Sequence, residues 1–203
     1  MSRTHWSTAG LLVALTAGAG RLQAQRLGLF FDAQATQCSA PIEPFGSSVH
    51  AFLVAFPPVD SLVSGAEVRL VLPPGIVLAA GSVSFPHGTV ADAHGDFITG
   101  VNIRLNKCAV PGSPLVLAEM DFDDRGSGHR NDIVVSLQGV GVDSIASMIP
   151  QLTICDPDDP INGERGRLQA PSVDATFNCT MRCYCTTAIR PQSWSEMKLL
   201  YRE

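Results

Sequence analysis

The chain has 203 residues, 16% of them charged, with 14 Lys plus Arg against 19 Asp plus Glu and a formal net charge of −5. That balance repels phosphate backbones, and the basic residues form no stripe interleaved with aromatics, which argues against a nucleic-acid partner. A 45% hydrophobic content supports a buried core and argues against wholesale disorder.

In chain order, "MSRTHWSTAGLLVALTAGAGRLQAQ" places Arg3 and His5 before an apolar, small-residue run and offers Ala24 before a scissile bond. This reads as a cleaved export signal over residues 1–24. Neither this run nor any later one reaches the 18 or so consecutive apolar residues of a spanning helix, so no transmembrane segment is expected. Cleavage would remove Arg3 and Arg21 and no acidic residue, leaving an exported chain about seven charges negative. The location implied is extracellular, cell-surface or periplasmic.

Next, "LGLFFDAQATQCSA" gives a short apolar strand ending near Asp32, then a polar loop carrying Cys38. "SSVHAFLVAF" predicts a strand over Val49–Phe56, stopped by Pro57 and Pro58, which donate no ladder hydrogen bonds. In "SGAEVRLVLPPG", Ala66, Val68, Leu70 and Leu72 alternate with Glu67, Arg69 and Val71, the period of a half-buried strand. Another apolar run covers Ile76–Ala79. The Gly-rich stretch 81–96 is weakly patterned. Alternation returns at Val101, Ile103 and Leu105, then at Leu115, Leu117, Met120 and Phe122. "NDIVVSLQGVGV", "SMIPQLTICD" and "RLQAPSVDATFNC" supply further short strands, and "RPQSWSEMKLLYRE" a helix opened by Ser193 or Ser195, with Glu196 completing a capping box from Ser193.

With seven to nine strands and no long helical pattern between them, the fold expected is all-β: an antiparallel Ig-like or cohesin-like β-sandwich over residues 25–190. A short C-terminal helix over 191–203 would complete it.

Six cysteines follow the signal: Cys38, Cys108, Cys155, Cys179, Cys183 and Cys185. In an oxidising compartment they read as disulfide partners. The spacing lacks the repeated short hooks of a zinc site and the C-x-x-C of a redox site. We expect one bridge from Cys38 to Cys108 and one from Cys155 to the 179–185 cluster, each closing a long segment. Cys183 and Cys185 would point to opposite faces of a strand and would not pair with each other.

"LGLFFDAQATQCSA", "GAEVRL", the later cysteines and the ending "WSEMKLLY" together resemble a group of small exported bacterial β-rich proteins. These open on an FD…CS segment and close on W-x-x-x-K-x-L-Y. The resemblance implies an Ig-like or cohesin-like exported sandwich and carries over no catalytic residues.

The strongest site candidate is "DFDDRGSGHRND", where Asp121, Asp123, Gly126 and Asp132 partly match a calcium loop. Arg125 at the fifth position, His129 at the ninth and Asp rather than Glu at the twelfth depart from that pattern. A polar hairpin loop explains the same residues. Asp156, Asp158 and Asp159 read as a solvated turn. His87 and His94 lie in one Gly-rich stretch but form no ligand set. Asn178-Cys179-Thr180 formally matches a glycosylation acceptor, which a bridged Cys179 makes a poor substrate.

No G-x-S-x-G or H-E-x-x-H occurs. The function expected is therefore a non-catalytic binding, adhesion or surface-assembly module with a surface-protein or glycan partner and no cofactor beyond candidate calcium, on fold analogy. The alternative is a secreted hydrolase acting on glycans through an Asp/Glu pair, with Glu43, Glu67, Glu119 and Glu164 available.

Overall fold

The computed structural model describes residues 26–58, 61–109, 113–126, 131–140, 149–156 and 159–180. The export signal expected over 1–24, Cys183, Cys185 and the helix expected over 191–203 lie outside the described residues.

Among the described residues, thirteen strands form two sheets. The first runs β12 (Ser172–Val173), β1 (Arg26–Phe30), β3 (Val49–Phe56), β8 (Leu115–Asp124), β5 (Ile76–Leu78). The second holds eight strands. Its path is β11 (Asp159–Gln169), β10 (Gln151–Asp156), β4 (Val63–Val71), β9 (Ile133–Gln138), β13 (Ala175–Phe177), β2 (Ser39–Ala40), while β7 (Gly100–Ala109) pairs with β4 and β6 (Val90–Asp96) pairs with β7. Leu27, Leu29, Leu53, Leu117, Met120 and Phe122 of the first sheet share one buried core with Val68, Leu70, Ile103, Val135, Leu152 and Phe177 of the second. The expected sandwich is what the chain adopts, because period-two apolar residues on both sheets need each other to leave water.

Local irregularities follow from the register. Leu117 and Ala118 are both fully buried, which simple alternation forbids. A register shift between Leu53 and Val54 in the β3–β8 pairing lets β8 change phase there. Gly65 of β4 sits where an added Cβ would come 2.4 Å from the Ile103 carbonyl oxygen, so only glycine admits that approach of β7.

Two pairings depart from the antiparallel expectation: β1 runs parallel to β12, and β13 runs parallel to β2. The segment 172–177 leaves the first sheet after Val173 and joins the second at Ala175, alongside the N-terminal segment that makes the same passage from β1 to β2. Asp174 marks the crossing. Its carboxylate accepts from the Leu137 amide at 3.3 Å and from Ser136 Oγ at 3.3 Å, tying the switch point to β9.

The disulfide expectations are corrected. Cys108 bonds to Cys155, so neither Cys38–Cys108 nor a bridge from Cys155 to the 179–185 cluster forms. The reason lies at the start of β4, where Val63 pairs with Ala109 of β7 and with Ile154 of β10. Both pairings shift register there, the Cys155 amide donates to the Leu62 carbonyl, and the two cysteine Cα atoms come within 6.2 Å. Cys38 and Cys179 are disulfide-bonded as well.

Candidate functional site

The turn "EPFG" is the least expected local structure. The Gly46 amide donates to the Glu43 carbonyl at 3.0 Å, closing a four-residue turn with Pro44 second and Phe45 third. Phe45 has φ of 56°. A positive φ at the third position is the pattern of a type II turn, which usually takes Gly or Asn there. A bulky side chain in the left-handed region costs roughly 1–2 kcal/mol. Burial does not offset it, because Phe45 is 80% exposed. The turn is held by the Phe45 amide donating to the Asp124 carbonyl at 2.8 Å, and the far end of the ring lies 3.3 Å from where a Cβ on Gly126 would be.

Ile42, Glu43 and Pro44 form one wall of an open pocket of about 640 Å³, and Asn131, Asn178, Cys179 and Thr180 form the other. The opposite wall is also built on left-handed backbone, with φ of 56° at Asp132 and 52° at Asn178. Three of the four described non-glycine residues with positive φ therefore belong to this one end of the sandwich. Clustered strain of this kind marks places where the surroundings over-determine the backbone, often to serve a site.

Side chains fix the walls together. Asn178 Oδ1 accepts from the Ile42 amide at 2.9 Å, and its Nδ2 donates to the Ile42 carbonyl at 2.9 Å. Its own amide donates to the Ala40 carbonyl, and its carbonyl accepts from the Asp132 amide. Asp132 accepts from the Thr180 amide at 3.0 Å and from Thr180 Oγ1 at 2.7 Å. Those two hydrogen bonds, the amide's first, hold its carboxyl below the usual range. Asn178 thus serves as a structural clamp, which is a second reason for it to be a poor glycosylation acceptor.

The calcium-loop aspartates occupy different settings. Asp121 and Asp123 lie within β8, which continues to Asp124, rather than in a loop. Asp121 Oδ1 faces His50 Nδ1 at 2.6 Å, Asp123 accepts from Ser48 Oγ at 2.6 Å with Arg125 at 3.7 Å, and Asp132 belongs to the pocket end. Among the described residues, no three His, Cys, Asp or Glu side chains are gathered as metal donors. Asp156 ends β10 and pairs through the backbone with Asp159 of β11, while Asp158 lies outside the described residues. His94 faces Asp92 at 2.7 Å. Of the candidate glutamates, Glu67 pairs with Arg167, Glu119 lies 3.7 Å from His50 Nε2, and Glu43 lines the pocket.

Sequence reasoning missed the pocket and its turn. Proline followed by Phe-Gly was a turn signal, but the glycine pointed to position 46 and gave no sign that Phe45 carries the positive φ.

No family model and no curated protein matches the chain. Solved structures do resemble it. A non-cellulosomal cohesin from the hyperthermophilic archaeon Archaeoglobus fulgidus is similar at 15% identity over 78% of this chain and 92% of that one, with a TM-score of 0.45. The CaCohA2 module from Clostridium acetobutylicum, in its complex with a variant of CaDoc0917, gives 12% identity, 77% and 100% coverage and a TM-score of 0.49. The major pilin subunit of Bacillus cereus gives 11% identity, 78% and 40% coverage and a TM-score of 0.41.

Proposed function

We propose that this chain is an exported, non-catalytic binding module that presents the Phe45 end of its sandwich to a partner at a cell surface. The observation that carries this reading is the fully displayed Phe45 on strained backbone. A hydrophobic ring held 80% exposed, at a conformational cost, serves no purpose in folding. The rest of the molecule supports it as a rigid frame: a filled core between two sheets leaves recognition to the loops at its ends. The Cys108–Cys155 bond fits an oxidising compartment, in agreement with the export signal expected over residues 1–24. Among the described residues no helix is long and apolar enough to cross a membrane.

The test has two parts. Expression of the full chain with a C-terminal tag should place it outside the cytoplasm, shortened at its N-terminus. The purified product should bind envelope preparations from the cells that make it, and Phe45→Ala should weaken that binding while the thermal unfolding midpoint is kept. Cytoplasmic retention, or binding indifferent to Phe45, would overturn the reading.

A further inference from the structure

We infer that Cys183 and Cys185, which lie outside the described residues, are the disulfide partners of Cys38 and Cys179, one each, so that one C-x-C step staples the loop before β2 and the end of β13 together. Cys38 and Cys179 are each disulfide-bonded, and Cys108 and Cys155 are bonded to each other. A sulfur makes one such bond, so Cys108 and Cys155 are taken. Of the six cysteines in the chain four remain, and four cysteines allow three pairings. One of these joins Cys38 to Cys179 and Cys183 to Cys185. The other two cross between the pairs.

The register of the terminal strands decides against the first. In the parallel β2–β13 pair Ser39 is opposite Thr176 and Ala40 opposite Phe177, so Cys38 stands level with Ala175 and Cys179 with Ile42. Hydrogen bonds hold both ends of that register: the Cys38 carbonyl accepts from the Thr176 amide at 2.8 Å, and Asn178 pairs with both backbone groups of Ile42. Four residues of strand separate the two levels, about 13 Å, whereas bridged Cα atoms lie no more than about 7 Å apart. The surroundings differ as well. Cys38 is 2% exposed and packs with Phe30, Val54, Phe56 and Val173, while Cys179 lines the open pocket with Ile42 and Glu43. A Cys38–Cys179 bond is thereby excluded, and with it a bond between Cys183 and Cys185, which would leave both anchors without a partner in the chain.

The crossed pairings fit the reach of the chain. Two residues span up to about 7 Å, and each bridge about 6 Å between Cα atoms, so bridge, C-x-C and bridge together cover about 18 Å, more than the gap between the anchors. The staple joins both layers of the fold. Phe30, Val54 and Phe56, which pack with Cys38, alternate with the core residues Leu29, Leu53 and Ala55 and so lie on the face of the first sheet turned away from the shared core. Cys179 instead follows β13 of the second sheet. Each bond forms as two thiols give up two protons and two electrons to a disulfide oxidant, the thiol chemistry of an exported compartment. Phe45 and its binding role have no part in the inference.

The experiment is tryptic digestion and mass spectrometry of the full chain, folded in a buffer of oxidised and reduced glutathione and then alkylated to block free thiols. Trypsin separates residues 27–69 with Cys38, 168–182 with Cys179 and 183–198 with both Cys183 and Cys185. The three peptides are expected as one species, lighter than their sum by two hydrogens for each bond, that falls into three on reduction. A species joining 27–69 to 168–182 without 183–198, a 183–198 peptide closed on itself, alkylated Cys183 or Cys185, or a disulfide-linked dimer of the chain overturns the inference. In the double variant Cys183→Ser with Cys185→Ser, Cys38 and Cys179 should each take up an alkyl group after unfolding, because their separation forbids a bond between them. The unfolding midpoint of that variant should fall by about 5–15 °C. A Cys38–Cys179 bond in the variant would likewise overturn the inference. Envelope binding indifferent to Phe45, with the three-peptide species intact, would remove the binding role and leave the bridges standing.

Discussion

The side chain of Asn178 satisfies both the amide and the carbonyl of Ile42, each at 2.9 Å, across 136 positions of sequence. It imitates one rung of a β-ladder, and so continues the β13–β2 pairing where the strands end. Asn178→Ala removes both bonds and places a side chain at φ of 52° that only a few residue types accept. A stability loss of about 1–3 kcal/mol is expected in urea unfolding. Asn178→Asp should cost at least as much, because the lost N–H leaves a carboxylate facing the Ile42 carbonyl.

Replacing Cys108 and Cys155 together by Ala should lower stability by roughly 2–4 kcal/mol, since the bridge closes a separation of 47 residues. Non-reducing peptide mapping should return a peptide pair joining Cys108 to Cys155. Recovery of a Cys38–Cys108 pair would contradict the structure.

Gly65→Ala would drive a methyl against the Ile103 carbonyl of a neighbouring strand, with backbone on both sides of the contact. A loss of about 1–3 kcal/mol is expected, seen as a lower unfolding midpoint. Gly81→Ala is the control. Its added methyl meets nothing within 4 Å, so any cost there comes only from its φ of 71°.

Acid should weaken the loops before the core. For Asp32, burial raises the carboxyl pKa, but hydrogen bonds from Thr36 and Gln37 outweigh it and hold it below its ordinary 3.8. Asp96 is lowered by Thr99, through its hydroxyl first and its amide second, then by the Ile98 amide, and Asp132 is lowered by Thr180. A carboxyl whose folded pKa is depressed contributes stability that is fully present above its unfolded value and lost as pH falls through the folded one. The unfolding midpoint should therefore hold above about pH 4 and drop below it. In Asp32→Asn the drop should be shallower.

Calcium titration by calorimetry addresses Asp121, Asp123 and Asp132. Asp121 and Asp123 lie in β8 beside His50 and Ser48, and Asp132 engages Thr180, so a shared calcium site would have to draw on all three, and no saturable heat at millimolar calcium would remove it. A saturable heat abolished in D121A/D123A would establish the site.

Much of the sandwich was legible because burial on one face writes a period of two. The strand Val49–Phe56 has the bounds the sequence indicates, and Val101, Ile103 and Leu105 are buried as their alternation requires. The strand β6 was hidden because it pairs only with β7 and leaves Ala91, His94, Gly95 and Asp96 exposed, so its side chains carry no apolar rhythm. The strand β11 was hidden by Asp159, Pro160 and two glycines, residues that ordinarily mark turns. The disulfide could not be read because it depends on two register shifts meeting at Val63, and register is not written in residue type. The pocket escaped for a related reason: its walls are three short segments distant in sequence, and its most telling residue violates the local preference that sequence reading relies on.

The parallel pairing of β1 with β12, and of β2 with β13, also decides how the sandwich would bear a pull. Tension entering before Arg26 and leaving after Thr180 would draw two side-by-side parallel segments in opposite directions along their length. Their connecting hydrogen bonds would then be loaded together in shear rather than opened one at a time, as they would be at the free end of a hairpin. A domain anchored to a surface at one end and to cargo at the other would resist force best with its terminal strands laid side by side in this way.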